Sequence, residues 1–587
     1  MMSVKRAAVR LPFFLCWIGW LLAGHALADT DSRVAPEPAF GFSAKQALSA
    51  QHFLIAAAHP LAVEAGYQVL RRGGTAIDAA IAVQMVLNLV EPQSSGIGGG
   101  AFILHYSAAD AKLIAYDGRE TAPAAARPDR FIGADGRPLA FLDAEVGGKS
   151  VGTPGVLRAL ELAHAKYGKL PWAELFQPAI RLATEGYPLS PRLHRLLALV
   201  RLPGRNPAMR RMYYRADDTP KPVGTLLKNP ALADTLRKIA AQGADAFYRG
   251  GIARDIVNAV QHAPHPGDLT QQDLADYRAR EREPVCAPYR QWRVCGMPPP
   301  SSGGVAVLQV LGLLQRLAPE QLSTDPVRAA HVIAETERLA YADRERYLAD
   351  ADFVPVPVAG LLAPAYLDQR AALVHADHAL DHALPGTPPG APLAQLADDA
   401  SPELPSTSDL SIVDAAGNAV AMTSSIEFAF GSQQMVRGFL LNNQLTDFSF
   451  VAERDGKAVA NRIEPGKRPR SSMSPTMVFD RNGALVLLLG SAGGSAIINH
   501  VVKTLVAALD WKLDIQQAIA LPNFGNRNGP TELERGTAAE DWAAPLRALG
   551  HEVRVIDMNS GVHAIERTLG GWRGGADPRR EGVAKGD

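Results

Sequence analysis

A threonine hydroxyl is a poor nucleophile at neutral pH unless a base stands beside it. In the stretch "LPSTSDLSIVDAAGNAVAMTSSIEFAFGS", residues 404–432, a Pro-Ser-Thr-Ser cluster abuts an apolar run. A cut between Ser406 and Thr407 gives Thr407 a free α-amine. Such an amine has an unperturbed pKa of about 7.7–8.0, close to the working pH at which a general base is most efficient. Attacker and base then belong to one residue. The cut is also the activation step, because an amide nitrogen cannot serve as a base. Taken alone, the cluster reads equally as a polar loop that ends at a strand.

Other patterns fail on their context. Gly148-Lys149-Ser150-Val151-Gly152 has the outline of G-x-S-x-G. A nucleophile elbow needs a strand before it and a helix after it; here the strand signal is weak and Pro154-Gly155 delays any helix. The phosphate-loop reading needs a glycine where Asp143 stands. Gly98-Gly99-Gly100 opens no dinucleotide fingerprint. The histidines of "HADHALDH" (375–382) lie in a stretch of linker composition, where solvated side chains are expected, and H-E-x-x-H is absent.

Elements that position Thr407 are visible as periodicity. "FLIAAAH" predicts a strand, followed by a helix that starts at Pro60 and is interrupted at Gly73-Gly74. "AFILHYSAADAKLIAYDGRE" predicts a hairpin, as does "LSIVDAAGNAVAMTSS" with its Asp-Ala-Ala-Gly-Asn turn. Residues 154–265 carry mostly helical patterns, and residues 325–350 an amphipathic helix with Ala329, Val332, Ile333, Leu339 and Tyr341 near 3.6 spacing. Residues 483–509 predict a buried strand, a glycine turn and a helix. Residues 375–406, rich in Ala, Pro, Asp and Gly, predict a mobile linker ahead of the candidate cut. Hairpins on both sides of it favour layered α+β with antiparallel strands.

Composition limits the function classes. The chain has 587 residues, with 60 Lys+Arg against 60 Asp+Glu. No basic excess points to nucleic acid or an anionic membrane. Residues 1–28 read as a secretory signal: Lys5, Arg6 and Arg10, an apolar run, and Ala26-Leu27-Ala28 before Asp29. A secreted, periplasmic location follows as an expectation, and with it conditions that permit a disulfide. Cys286 and Cys295 flank "APYRQWRV"; the sequence leaves open whether they pair or stay reduced.

The chain resembles the gamma-glutamyltranspeptidase family of N-terminal-nucleophile (Ntn) hydrolases. The resemblance rests on "GGTAIDAAIA", "SSGIGGGAFILHY", "DGRETAP", "PPPSSGG", "LAYADRERYLAD", "NAVAMTSSI", "LLNNQLTDFS", "GKRPRSSMSPTMV", "GSAGGSAII" and the terminal "GGADPRREGVAKG". It implies a four-layer αββα sandwich built jointly by a large subunit (29–406) and a small subunit (407–587). It further implies self-cleavage at Ser406–Thr407 and γ-glutamyl transfer, from glutathione and related compounds to water or to amino acid and peptide amines. By position it puts the nucleophile at Thr407 and its supporting hydroxyl at Ser425. The oxyanion amides fall at Gly493 and Gly494. Arg119, Ser471 and Ser472 would hold the substrate carboxylate; Gln444 and Asp447 would hold its ammonium. Glu427 stands where many members have asparagine, and Asp409-Leu410 replaces the usual pair after the nucleophile. No tyrosine lies between Asp447 and Lys467. No metal or organic cofactor is implied. The same scaffold also suits a glutaryl (cephalosporin) acylase or a poly-γ-glutamate-processing enzyme, and an uncleaved form would be a periplasmic binding protein.

Overall fold

A computed structural model describes residues 41–200, 206–317, 325–392, 395–401, 403–404 and 406–587; the signal segment expected at 1–28 lies outside them. The local signals resolve as the sequence predicts. Leu54–Ala57 is a strand, and His59 caps the helix Pro60–Arg71, with Pro60 in its first turn. The break at Gly73-Gly74 leads to Thr75, which forms a capping box with Asp78 and starts the helix Ala76–Val90. Every residue of that second helix is buried.

Two seven-stranded sheets form the centre, and all their pairings are antiparallel. One sheet runs Val583–Gly586, Leu54–Ala57, Ser408–Val413, Ala419–Ser425, Gly100–Ser107, Lys112–Gly118, Arg280–Arg282. The other runs Leu48–Ala50, Gly571–Ala576, His563–Thr568, Leu485–Gly490, Thr476–Phe479, Trp292–Gly296, Val285–Tyr289. Ala76–Val90 packs on the outer face of the first sheet; Gly303–Leu314 and Ile497–Leu509 pack on the second. This is the αββα sandwich.

The period of two along Ser408–Val413 assigns its faces. Leu410 and Ile412 enter the core shared with the helices, while Val413 enters the core between the sheets. Asp409 and Ser411 also face the second sheet: a Cβ on Gly490 would lie 2.1 Å from Asp409, and Ser411 donates to the His563 carbonyl at 3.0 Å.

Two sequence expectations meet a different structure. The helix Pro326–Tyr347 is buried on both sides rather than amphipathic; Glu335, Glu337, Arg338, Asp343 and Arg344 all lie inside. Its polar face is covered by the segment that follows. Within 375–406 the described residues form no helix or strand, yet they are tied to the body. Ala379 N–H donates to the Leu549 carbonyl at 2.7 Å, Ala383 N–H to Asn528 Oδ1 at 2.9 Å, and Asp399 N–H to the Glu345 carbonyl at 3.0 Å. Cys286 and Cys295, left open by the sequence, form a disulfide across adjacent strands. Among the described residues no helix is long and apolar enough to cross a membrane.

Candidate active site

Sheet register brings the two candidate hydroxyls together. Ser408 pairs with Ser424 and Asp409 with Thr423, so Thr407 falls opposite Ser425 at the strand mouth. Ser425 Oγ lies 3.4 Å from Thr407 Oγ1 and donates to the Ser406 carbonyl at 2.8 Å. The Glu427 N–H donates in turn to Ser425 Oγ at 2.8 Å, which fixes the hydroxyl's direction. The scissile unit is held from both sides. Ser406 Oγ donates to the Gln93 carbonyl at 2.7 Å, and Arg580 donates to the Thr407 carbonyl at 3.0 Å. Gln93 directly precedes the "SSGIGGG" stretch, whose first serine, Ser94, also meets the Ser406 hydroxyl, Oγ to Oγ 3.3 Å.

A small cavity opens beside Thr407. It is lined by Arg119, Glu403, Leu404, Thr407, Ser425, Glu427, Gln444, Asp447, Ser471, Ser472, Met473, Gly494 and Ile497. Every residue expected from the sequence lines it except Gly493, which directly precedes Gly494. Gly493 has φ 139°, and a Cβ there would sit 2.8 Å from His500 Cε1. That close approach requires glycine. Gly494 begins a short 3-10 turn that leads into the helix Ile497–Leu509, so unpaired N–H groups and the helix's positive end face the same place.

Charged groups divide along the cavity. Arg119 donates to Asp447 and, at 2.7 Å, to the Arg470 carbonyl. Gln444 Nε2 donates to Asp447 at 2.7 Å. Burial raises the Asp447 pKa, and the Arg119 guanidinium only partly counters it. Burial drives the Glu427 carboxyl well above the usual range, with the nearby Asp447 adding to the rise; Asn443 is its hydrogen-bond donor. Glu427 has φ 80°, a left-handed turn that aims the side chain into the cavity. Asp409, two residues past the nucleophile, is buried, accepts from Thr423 Oγ1 at 2.8 Å, and is pushed strongly upward by burial.

The serine pair rests on the "PPPSSGG" motif. Ser302 N–H and Oγ both donate to the Ser471 carbonyl at 2.7 Å, and Ser301 Oγ donates to the Met473 carbonyl at 2.6 Å. Ser472 Oγ donates to Glu403 at 2.6 Å. Glu403, Arg344 and Arg470 escaped sequence reasoning as site residues. The two arginines sit inside motifs that carry the resemblance, "ADRER" and "RPRSS"; Glu403 lies in a stretch whose composition suggests only a linker. Ser150 is absent from the cavity lining; its hydroxyl is buried and donates to the carbonyls of Glu145 and Gly147.

An αββα sandwich with a candidate threonine nucleophile directly before a central strand, lining a cavity, is the arrangement of the Ntn-hydrolase class. The family model for gamma-glutamyltranspeptidase matches residues 62–587. The chain is 34% identical over 576 residues to the glutathione hydrolase proenzyme of Bacillus subtilis (strain 168), covering 96% of each chain. It is 35% identical over 581 residues to the glutathione hydrolase proenzyme of Escherichia coli (strain K12), covering 96% of this chain and 97% of the relative. Among solved structures, the cephalosporin acylase from Bacillus halodurans superposes with a TM-score of 0.80 at 28% identity, covering 93% of this chain and 97% of the other. The chain belongs to the gamma-glutamyltranspeptidase family.

Proposed function

We propose that the chain is a self-processing γ-glutamyltransferase/hydrolase, cut between Ser406 and Thr407 into subunits 29–406 and 407–587. The observation that carries the self-cleavage is the Ser425 hydroxyl on the scissile carbonyl, beside the Thr407 hydroxyl. Ser425 polarises that carbonyl. Thr407 Oγ1 adds to it, the C–N bond breaks as the ester forms, and the hydroxyl proton passes to the departing nitrogen. Water then hydrolyses the ester, leaving a free carboxylate on Ser406 and a free amine on Thr407.

In the processed enzyme the same hydroxyl attacks the γ-carbonyl of a γ-glutamyl amide. The α-amine takes the hydroxyl proton and delivers it to the leaving amine. The N–H groups of Gly493 and Gly494 receive the oxyanion. Arg119, Ser471 and Ser472 receive the substrate carboxylate, for which a planar guanidinium is suited. Gln444, Asp447 and Glu427 receive the ammonium. Water or an amino acid or peptide amine then takes the acyl group. The acceptor amine and the two-subunit assembly are parts of this reading, as is a secreted, periplasmic location.

Likeness to a cephalosporin acylase favours a second reading on glutaryl amides. The two acidic side chains where an ammonium would sit, Glu427 and Asp447, favour γ-glutamyl donors. Mass spectrometry of the purified protein beside Thr407→Ala tests the cut: two fragments beginning at Asp29 and Thr407 are expected, and one chain for the variant. Relative turnover of γ-glutamyl and glutaryl anilides then decides between the readings. An intact chain that still turns over γ-glutamyl compounds overturns the mechanism.

A further inference from the structure

Glu403 is the acidic side chain closest in sequence to the proposed cut on its N-terminal side, and it lines the cavity beside Thr407. It is held there by three donors: the guanidinium of Arg344, that of Arg470 (3.2 and 3.0 Å), and Ser472 Oγ (2.6 Å). All three side chains are buried. Burial alone raises the carboxyl's pKa, but Arg344 and Arg470 outweigh it and bring it down to about 2. The group is therefore a firmly ionised carboxylate in a seat made for one.

The seat is built independently of its occupant. Arg344 is held by Ser302 Oγ at 2.8 Å and by Glu345; Arg470 is held by Glu345 at 3.1 Å and Asp399 at 3.2 Å. The Arg470 N–H donates to Asn461 Oδ1 at 2.9 Å. When Glu403 departs, Arg344 keeps Ser302 and Glu345, and Arg470 keeps Glu345, so both guanidiniums keep their aim; Asp399 lies on the same segment as Glu403 and leaves with it. What is lost is the acceptor for one edge of each fork and for Ser472. Glu403 also borders a second cavity of about 180 Å³, lined by Tyr341, Arg344, His382, Ser495, Arg527 and Asn528 among others. It thus lines both that space and the cavity beside Thr407.

We propose that Arg344 and Arg470 join Arg119 and the serine pair in receiving the free carboxylate of the acyl donor in the processed enzyme, and that Glu403 occupies their side of that seat in the precursor as a stand-in for it. Neither arginine is in the set that the family resemblance supplies. The inference rests on the acyl-donor reading of the cavity. The residues before the cut thereby acquire a second role. They keep the pocket filled with chain until scission frees their end, so that the precursor cannot take up substrate.

Binding without turnover tests it separately from the activity. In the Thr407→Ala precursor, glutarate is titrated calorimetrically with and without Glu403→Ala. Apparent affinity scales with the fraction of molecules whose seat is empty, so replacing Glu403 should tighten glutarate by about tenfold or more. Adding Arg470→Gln should abolish the gain. Glu403→Ser, short enough to leave the seat open, serves with the same outcomes if Glu403→Ala does not unfold cooperatively. Equal binding with and without Glu403 overturns the proposal, as does no binding after its removal, or a gain that survives Arg470→Gln. If glutarate binds as expected while γ-glutamyl anilides are not turned over, the function fails and the subsite stands.

Discussion

Ser425 is a short side chain that serves two different states of the protein. Ser425 donates to the Ser406 carbonyl; on the proposed mechanism this is the carbonyl that Thr407 attacks, and after scission the same hydroxyl would lie beside the new amine. Loss of one such donor at a developing oxyanion costs about 10²–10³ in rate. Ser425→Ala should therefore slow the appearance of the two fragments by about that factor, followed on a denaturing gel; an unchanged time course counts against the role. Glu427 supplies a prediction with a sign. Burial and the nearby Asp447 raise its carboxyl's pKa, so the empty site favours the protonated form. A substrate ammonium favours the ionised form and lowers that pKa. Binding of L-glutamate to the processed enzyme should release protons at any pH between the bound and the free value, and the release should vanish in processed Glu427→Gln. Calorimetry in buffers of different ionisation enthalpy measures it, and a heat independent of buffer rules it out. Replacing Glu427 by Asn should also narrow the preference for γ-glutamyl over glutaryl anilides.

At the scale of elements, the turn between Leu485–Gly490 and Ile497–Leu509 is the most constrained piece of the site. Gly493 stands at a positive φ with His500 against its face. His500 Nδ1 lies 3.2 Å from the Ala492 carbonyl, and burial depresses its pKa to about 3, so the ring is neutral. Gly493→Ala should displace the turn and cut kcat by about 10²–10³ while changing KM little; a KM effect alone points to substrate binding instead. This turn was legible as a strand, glycines and a helix, because the period changes from continuous apolar to 3.6 across it. The hairpin beside Thr407 was legible from two apolar runs around an Asp-Ala-Ala-Gly-Asn turn. The helix Pro326–Tyr347 was only half legible: spacing marks its apolar face, but nothing local shows that its acids and arginines are buried too. Arg344 gains its meaning from Ser472 and Glu403, which are 128 and 59 residues away. Pairing of that kind leaves no trace in a short window of sequence.

For the whole molecule, the proposed cut does not fall at a domain boundary. Ser408–Val413 lies between Leu54–Ala57 and Ala419–Ser425, and Ala419–Ser425 lies beside Gly100–Ser107. In the second sheet Thr476–Phe479 pairs with Trp292–Gly296. Each sheet thus mixes strands from before and after residue 406. Sheet order of this kind is set by contacts between residues far apart in the chain, which is why composition suggested a linker but not the interleaving. The two fragments should elute together on size exclusion and separate only in denaturant, and neither should fold when produced alone. Acid stability carries the trace of Glu403. Its folded pKa of about 2 lies below the unfolded value, so its contribution is present above the unfolded pKa and fades as pH falls toward about 2. The stability gap between the Thr407→Ala precursor and its Glu403→Gln derivative should shrink over that window; a gap that widens on acidification contradicts the pairing.

The last strand, Val583–Gly586, pairs with Leu54–Ala57, and the Asp587 side chain accepts from the His52 N–H at 2.9 Å. Residues 583–587 therefore lie beside residues 52–57. A circular permutant that starts at Met-Thr407, with a glycine-serine connector from Asp587 back to the segment before Leu48, keeps every strand in place. Routine removal of the initiator methionine would then expose the nucleophile's amine at birth. Such a protein should work without a maturation step, separating the demand of making the amine from the demand of using it.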